Sequence, residues 1–195
     1  MPEFKGPADN KMNIEIVERI VKCNKAYYAN AKLIKSKFLK KNTTMKIYKT
    51  MIRPVVMYWW ETWTVTEKGE KSLRIFERQV LRKIFGPVNI DIIWRIRNSM
   101  EIGKLIEGAD IVRLIKTQRI KWLGHIQGMD RARPTRKLLD WRLLGSRPVG
   151  RSRQRWREDV MEDLKKLKVK ILKETAKDRR TLIDLAEKAK THKGL

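Results

Sequence analysis

Cysteine, histidine and paired acids are the scarce residues of this 195-residue chain, and each shortage closes off a class of chemistry. A single cysteine, Cys23, excludes an internal disulfide and any thiolate-rich zinc site, and it fits a reducing compartment. Two histidines, His125 and His192, even with that cysteine fall short of the four ligands of a zinc finger. No two aspartates are adjacent, whereas two-metal polymerases and nucleases hold Mg²⁺ between clustered carboxylates. The nearest approach is Glu158, Asp159, Glu162 and Asp163, which i, i+4 spacing stacks on one helix; with Lys165 and Lys166 beside them, ordinary surface pairing is the expected use. A glycine-rich phosphate loop and a nucleophile elbow are also missing. The sequence therefore offers no catalytic residues, no metal ligands and no cofactor site. Apolar runs all fall short of the roughly 20 residues that span a bilayer, and the polar start lacks a secretory apolar core. No membrane partner is expected, and the chain reads as soluble and intracellular.

What the chain does have is positive charge. Lys and Arg number 47 against 22 Asp and Glu, a formal charge of +25 at pH 7. A hydrophobic fraction of 42% supplies a core, so a folded domain is expected to carry this excess. Such a domain repels itself unless an anion lies along it, and the usual candidates are nucleic acid or an acidic membrane surface. The charge is uneven: residues 1–18 sum to −2, 19–60 to +11, 61–112 to +1, 113–157 to +12 and 158–195 to +3. Across the 42 residues 19–60 there is no Asp or Glu, and in 113–157 only Asp130 and Asp140 offset 14 cations. Nucleic-acid contact by a basic patch is the reading that this pattern favours.

Periodicity gives an all-α, multi-helix bundle with an arginine-rich loop between two helical parts. In residues 14–39 Ile16, Ile20, Cys23, Tyr27, Ile34 and Phe38 recur at helical spacing, which predicts one long amphipathic helix. On its opposite side Lys22, Lys25, Lys32 and Lys35 form a row. Asn42-Thr43-Thr44 reads as an N-cap for a helix starting near Met45, which Pro54 should kink or end close to Arg53. The apolar run 55–60 is expected to be buried, with Trp59, Trp60 and Trp63 as core aromatics rather than base-stacking platforms. Thr64 or Thr66 caps a helix through Leu73, Phe76, Val80 and Ile84, and Gly86-Pro87 stops it. A loop and a short helix over 99–106 follow. Asp110 then caps a helix through Ile111, Leu114, Ile115, Trp122 and Ile126, from which Arg113, Lys116, Arg119 and Lys121 are expected to fan outward, with His125 packed at its end. Residues 144–152 read as a loop, where Arg147, Arg151, Arg153, Arg155 and Arg157 concentrate, a composition suited to phosphate oxygens. Two further amphipathic helices close the chain, one through Trp156, Val160, Leu164 and Leu167 and one over 171–190. No stretch alternates with period two for long, so no sheet is expected.

Several strings also carry a resemblance. IYKTMIRPVVMYWWETWTVT (residues 47–66), LRIFERQVLRKIFGPV (73–88), IKTQRIKWLGHIQGMD (115–130), RQRWREDVMEDLKKL (153–167) and AKTHKGL (189–195) occur in this order. Together they resemble the region after the polymerase palm in reverse transcriptases of non-LTR, LINE-like retrotransposons. The likeness covers the chain from about Glu15 onward. Two departures stand out: Trp59-Trp60 follows Tyr58 where relatives commonly have a small residue, and Gly150-Arg151-Ser152-Arg153 lacks a central proline. The resemblance implies that fingers and palm, with their metal-holding aspartates, lie before the region represented here. It implies a helical thumb that grips a template and primer duplex, followed by a basic region contacting element RNA or target DNA.

The expected organisation is then a disordered leader at 1–13, a thumb-like helical domain at 14–88, a basic helical region at 89–145, an arginine-rich linker at 146–153 and a helical hairpin at 154–195. Lys22, Lys25, Lys32 and Lys35 would track a backbone, Arg113, Arg119 and Lys121 would add a helical contact, and Arg147, Arg151, Arg153 and Arg155 would clamp from the loop. The expected partners are DNA, RNA or both, with a separately encoded polymerase palm as a further candidate and a nuclear location. The competing reading is a domesticated helical scaffold that binds protein through an exposed tryptophan patch.

Overall fold

The computed structural model describes residues 7–58, 60–62, 64, 66–106, 108–141, 156–167 and 179–192. Its fold is all-α, with one two-stranded hairpin as the sheet found among the described residues. Two compact units divide the chain, one made of residues 11–58 and 65–111, the other of residues 1–10, 59–64 and 112–195.

Helix α1 (Pro7–Ala29), which belongs to the first unit from Lys11 on, starts before the expected Ile14, so residues 7–13, assigned to a leader, are helical. Its buried stripe is Ile16, Cys23 and Tyr27, as the spacing required. The helix does not run on to Leu39. Asn30 leaves helical geometry at φ −97° and ψ 9°, its side-chain amide donates to the Ala26 carbonyl at 2.9 Å, and a short helix α2 (Ala31–Ile34) follows. Phe38, expected on the buried stripe, therefore lies beyond the helix and is 99% exposed.

The Asn42-Thr43-Thr44 triplet is not a cap. Helix α3 (Lys41–Ile47) begins ahead of it, and Thr44 turns inward with its hydroxyl donating to the Lys40 carbonyl at 3.4 Å. Pro54 does not end the helix either. A proline ring crowds the carbonyl one turn back, and here a wider π-helical turn, Tyr48–Ile52, occupies that position, so helicity continues through α4 (Arg53–Met57). Val56 is buried below it.

Helix α5 (Glu67–Phe85) matches its sequence signals. The Thr66 hydroxyl accepts from the Gly69 amide at 3.2 Å, Leu73, Phe76, Val80 and Ile84 are buried, and Gly86 closes the helix at φ 72°, a conformation glycine adopts without a Cβ penalty. Helices α3 and α6 (Ser99–Leu105) both contact α5. Asn98 and Glu101 form a reciprocal capping box at the start of α6.

Between α5 and α6 the expected loop is a β-hairpin, β1 (Val88–Ile90) with β2 (Ile93–Arg95), paired Val88 to Arg95, Asn89 to Trp94 and Ile90 to Ile93. Its two turn residues, Asp91 and Ile92, both have positive φ, 50° and 71°, which is the type I′ pattern that fits the twist of paired strands. Three-residue strands give too little alternation to register as period two, and Asp-Ile is not the Asn-Gly signature of such a turn.

The second unit is built on α7 (Ile111–Gly128), α8 (Pro134–Asp140), α9 (Trp156–Lys166) and α10 (Arg179–Thr191). Ile120 and Leu123 of α7, Val160 and Leu164 of α9, and Leu185 and Ala189 of α10 form one apolar cluster, which Leu139, Trp156 and Leu167 border. Trp60, in a 3₁₀ turn (Trp60–Thr62), is fully buried, so it is a core residue and not a stacking platform. The Trp156 indole donates to the neighbouring Glu61 carbonyl at 2.6 Å. Trp59 and Trp63 lie outside the described residues. Helix α8 was not expected, although Pro134 at its first turn is a recognised start signal.

Candidate nucleic-acid interface

The lysines of α1 and α2 reach solvent because the opposite stripe is buried. Lys22, Lys25, Lys32 and Lys35 are all exposed. Within α1, Lys22, Lys25 and Tyr28 follow one another three residues apart, each turned about 60° from the one before, while Lys32 and Lys35 belong to the separate α2 and its end. Tyr28 is 62% exposed, and it draws in a cation that sequence spacing alone could not place. Lys83, near the end of α5, puts its ammonium 5.2 Å from the Tyr28 ring centroid and 5.0 Å from that of Tyr27, with the Tyr28 hydroxyl at 3.5 Å. The result is a surface where the Lys83 ammonium meets the exposed Tyr28 ring, with Lys25 and Lys32 exposed three residues before and four after that tyrosine. Lys37, Lys40 and Lys46, from the same acid-free stretch, are exposed as well.

Lys22 has different company. It lines a groove of about 760 Å³ with Glu15, Glu18, Arg19 and Tyr58. Arg19 pairs with Glu15 at 3.1 Å and also donates to the Tyr58 carbonyl. Glu15 thus engages Arg19, and Lys22 shares its groove with two acids, whereas no Asp or Glu occurs in the sequence from Lys25 to Trp60.

On α7 the expected outward fan is formed only in part. Arg119 is only 1% exposed, and its guanidinium donates to Asp159 of α9. Lys116 is buried beside Asp163 at 3.4 Å. The i, i+4 spacing of Asp159 and Asp163 aims both carboxylates at α7, while Glu162 makes the expected surface pair with Lys166 at 3.6 Å. Burial raises the pKa of Asp163, with Lys116 and Arg119 opposing the rise. Arg119 is thereby withdrawn from the interface as a correction to the sequence reading: charge deep in a helix bundle is retained only when paired. Arg113 is half-buried, and Lys121 is exposed together with Gln118 and His125. His125 is not packed inside; its ring sits 5.6 Å from that of Trp122. Arg131, Arg133 and Lys137, which the sequence reading left unused, are exposed around the start of α8. Arg147, Arg151, Arg153 and Arg155 lie outside the described residues.

A buried polar network fixes the first unit. Glu77 of α5 accepts from the Tyr48 hydroxyl at 3.0 Å and from the Ile111 amide at 2.9 Å, and lies 3.2 Å from the Arg53 guanidinium, which also donates to the Ala109 carbonyl at 2.6 Å. Burial raises the Glu77 pKa, and Arg53 pulls against it. Burial also pushes the Cys23 thiol up to about 12, which leaves it protonated and unreactive at neutral pH. Among the described residues no three His, Cys, Asp or Glu side chains come together as metal ligands, and no helix is long and apolar enough to cross a membrane.

Comparison with known proteins adds one relation. No protein-family model matches the chain, and no solved structure matches it. An uncharacterized transposon-derived protein of Caenorhabditis elegans is 22% identical over 125 residues, 64% of this chain and 45% of the worm protein. The chain thus spans less than half the length of that relative, and its similarity, at low identity, is to a protein of transposon origin.

Proposed function

We propose that this chain is the nucleic-acid-gripping part of a non-LTR retrotransposon reverse transcriptase, the thumb and C-terminal extension, and that it holds DNA or RNA by the backbone without catalysis of its own. The observation that carries the proposal is the Lys83 ammonium over the exposed Tyr28 ring, among the exposed lysines of an acid-free stretch, in a protein of formal charge +25. Ammonium groups beside an exposed ring suit phosphates and the bases between them. The order of the resembling strings and the transposon-derived relative support the same reading. Catalysis would come from a palm carried elsewhere, either in a longer polypeptide or as a separate protein, and the place of action would be the nucleus.

Contacts of this kind go mostly to phosphate, so sequence preference should be weak and affinity should fall steeply with salt. Fluorescence anisotropy with duplex, hybrid and single-stranded probes over a salt series tests this. A steep negative slope on all three supports the proposal, and negligible binding at low salt refutes it. Extension of a primed template by this chain alone would refute the non-catalytic part.

A further inference from the structure

The β-hairpin exposes more apolar surface than a solvated loop should. Ile92 at its tip is 93% exposed, Ile93 70%, Trp94 68% and Ile96 75%. Opposed residues share a face, so Ile90 and Ile93 project from one side while Asn89 and Trp94 project from the other, and both sides are open. Ile96, two residues beyond Trp94, lines a cleft of about 550 Å³ with Gln79, Arg82, Lys83 and Pro87. Hydrogen bonds hold the floor of that cleft: Arg82 Nε donates to the Arg97 carbonyl at 3.0 Å, and Arg97 Nε to the Gly86 carbonyl at 3.2 Å.

Charge selects the occupant. Residues 78–104 carry six Lys or Arg against two acids, Asp91 and Glu101, and Glu101 is engaged by Arg95. The cleft is of the size that takes a small ligand, with apolar walls at Pro87 and Ile96, an amide at Gln79 and two cations. A base has a flat face, hydrogen-bonding edges and an anionic phosphate, and an indole on the neighbouring strand is a stacking surface for the next base.

We infer that the hairpin and the cleft at its base capture unpaired nucleotides at the end of a duplex, with a base between Pro87 and Ile96, its phosphate at Arg82 and Lys83, and an adjoining base on Trp94. This rests on the nucleic-acid-binding reading but assigns a structure preference that backbone contacts do not provide. Lys83 both lines the cleft and lies over the Tyr28 ring, and the exposed lysines around Tyr28 would carry the paired part of the same molecule.

The test compares a blunt duplex with the same duplex bearing a six-nucleotide single-stranded tail, using the full chain and anisotropy at fixed salt. The wild-type chain should favour the tailed probe by about tenfold or more. Trp94→Ala and Ile96→Ser should each abolish that preference and leave blunt-duplex affinity within about twofold; both side chains are exposed, and an unchanged thermal midpoint verifies folding. Steeply salt-dependent binding with no tail preference, or a preference that survives both substitutions, overturns this inference while leaving the backbone-gripping proposal intact. Binding to no probe overturns both. If Trp94→Ala instead changes only the sedimentation coefficient, the hairpin serves contact between copies and the nucleotide site is refuted.

Discussion

Arg119 and Lys121 stand two residues apart on α7 and have opposite fates. The first is enclosed against Asp159, and the second meets solvent. Removing one partner of a buried pair leaves the other charge uncompensated, so Arg119→Ala should lower the unfolding free energy by about 3–5 kcal/mol, and replacing Arg119 and Asp159 together by leucine should recover much of that loss. Lys121→Ala should change stability by less than about 0.5 kcal/mol. Denaturant unfolding of the three variants measures both effects. Asp163 adds a pH signature. Its folded pKa lies above the ordinary 3.8, so in that window the folded state binds the proton more tightly than the unfolded one, and stability falls as pH rises from 3.8 through the raised value. The Asp163→Asn variant should lack that descending component in a pH series of unfolding curves.

Among the elements, α5 and the hairpin show how legibility depends on local chemistry. Thr66, the 3–4 spacing of Leu73 to Ile84 and Gly86 are signals made within one helix, and the structure follows each of them. The hairpin depends on pairing between three-residue strands, and the turn residues Asp91 and Ile92 do not declare a positive φ. A β-branched residue at φ 71° is strained, so Ile92→Gly should stabilise the protein by about 1 kcal/mol, read as a higher urea midpoint with an unchanged slope. The break at Asn30 and the survival of the helix past Pro54 were equally hidden. One depends on a side-chain amide competing for a carbonyl, the other on a π-helical turn that no residue preference announces. The site was legible to the same degree. Exposure of Lys25 follows from the buried stripe on the other side of α1, and that of Lys32 and Lys35 from the buried Ile34 beside them, but the approach of Lys83 and the burial of Arg119 are tertiary events.

At the scale of the whole molecule, +25 overstates what can face a ligand. Lys116 and Arg119 are enclosed in ion pairs, and Arg19 is engaged by Glu15. Among the described residues, Lys25, Lys32, Lys35, Lys37, Lys40 and Lys46 of the acid-free stretch are all exposed, and the proposed grip lies there. Arg147, Arg151, Arg153 and Arg155 are expected to add phosphate contacts. Replacing the four with alanine should weaken duplex, hybrid and single-stranded probes by similar factors, and a loss confined to one probe would indicate base reading instead.

The most direct test of the central claim is the slope of log affinity against log salt for a blunt duplex, compared between the wild-type chain and the Lys25→Glu, Lys32→Glu, Lys83→Glu triple variant. Each lost phosphate contact should flatten the slope by roughly 0.9, so the variant should be shallower by about 2 to 3. An identical slope and affinity in a variant that remains folded would place the nucleic acid elsewhere or nowhere, and would contradict the account.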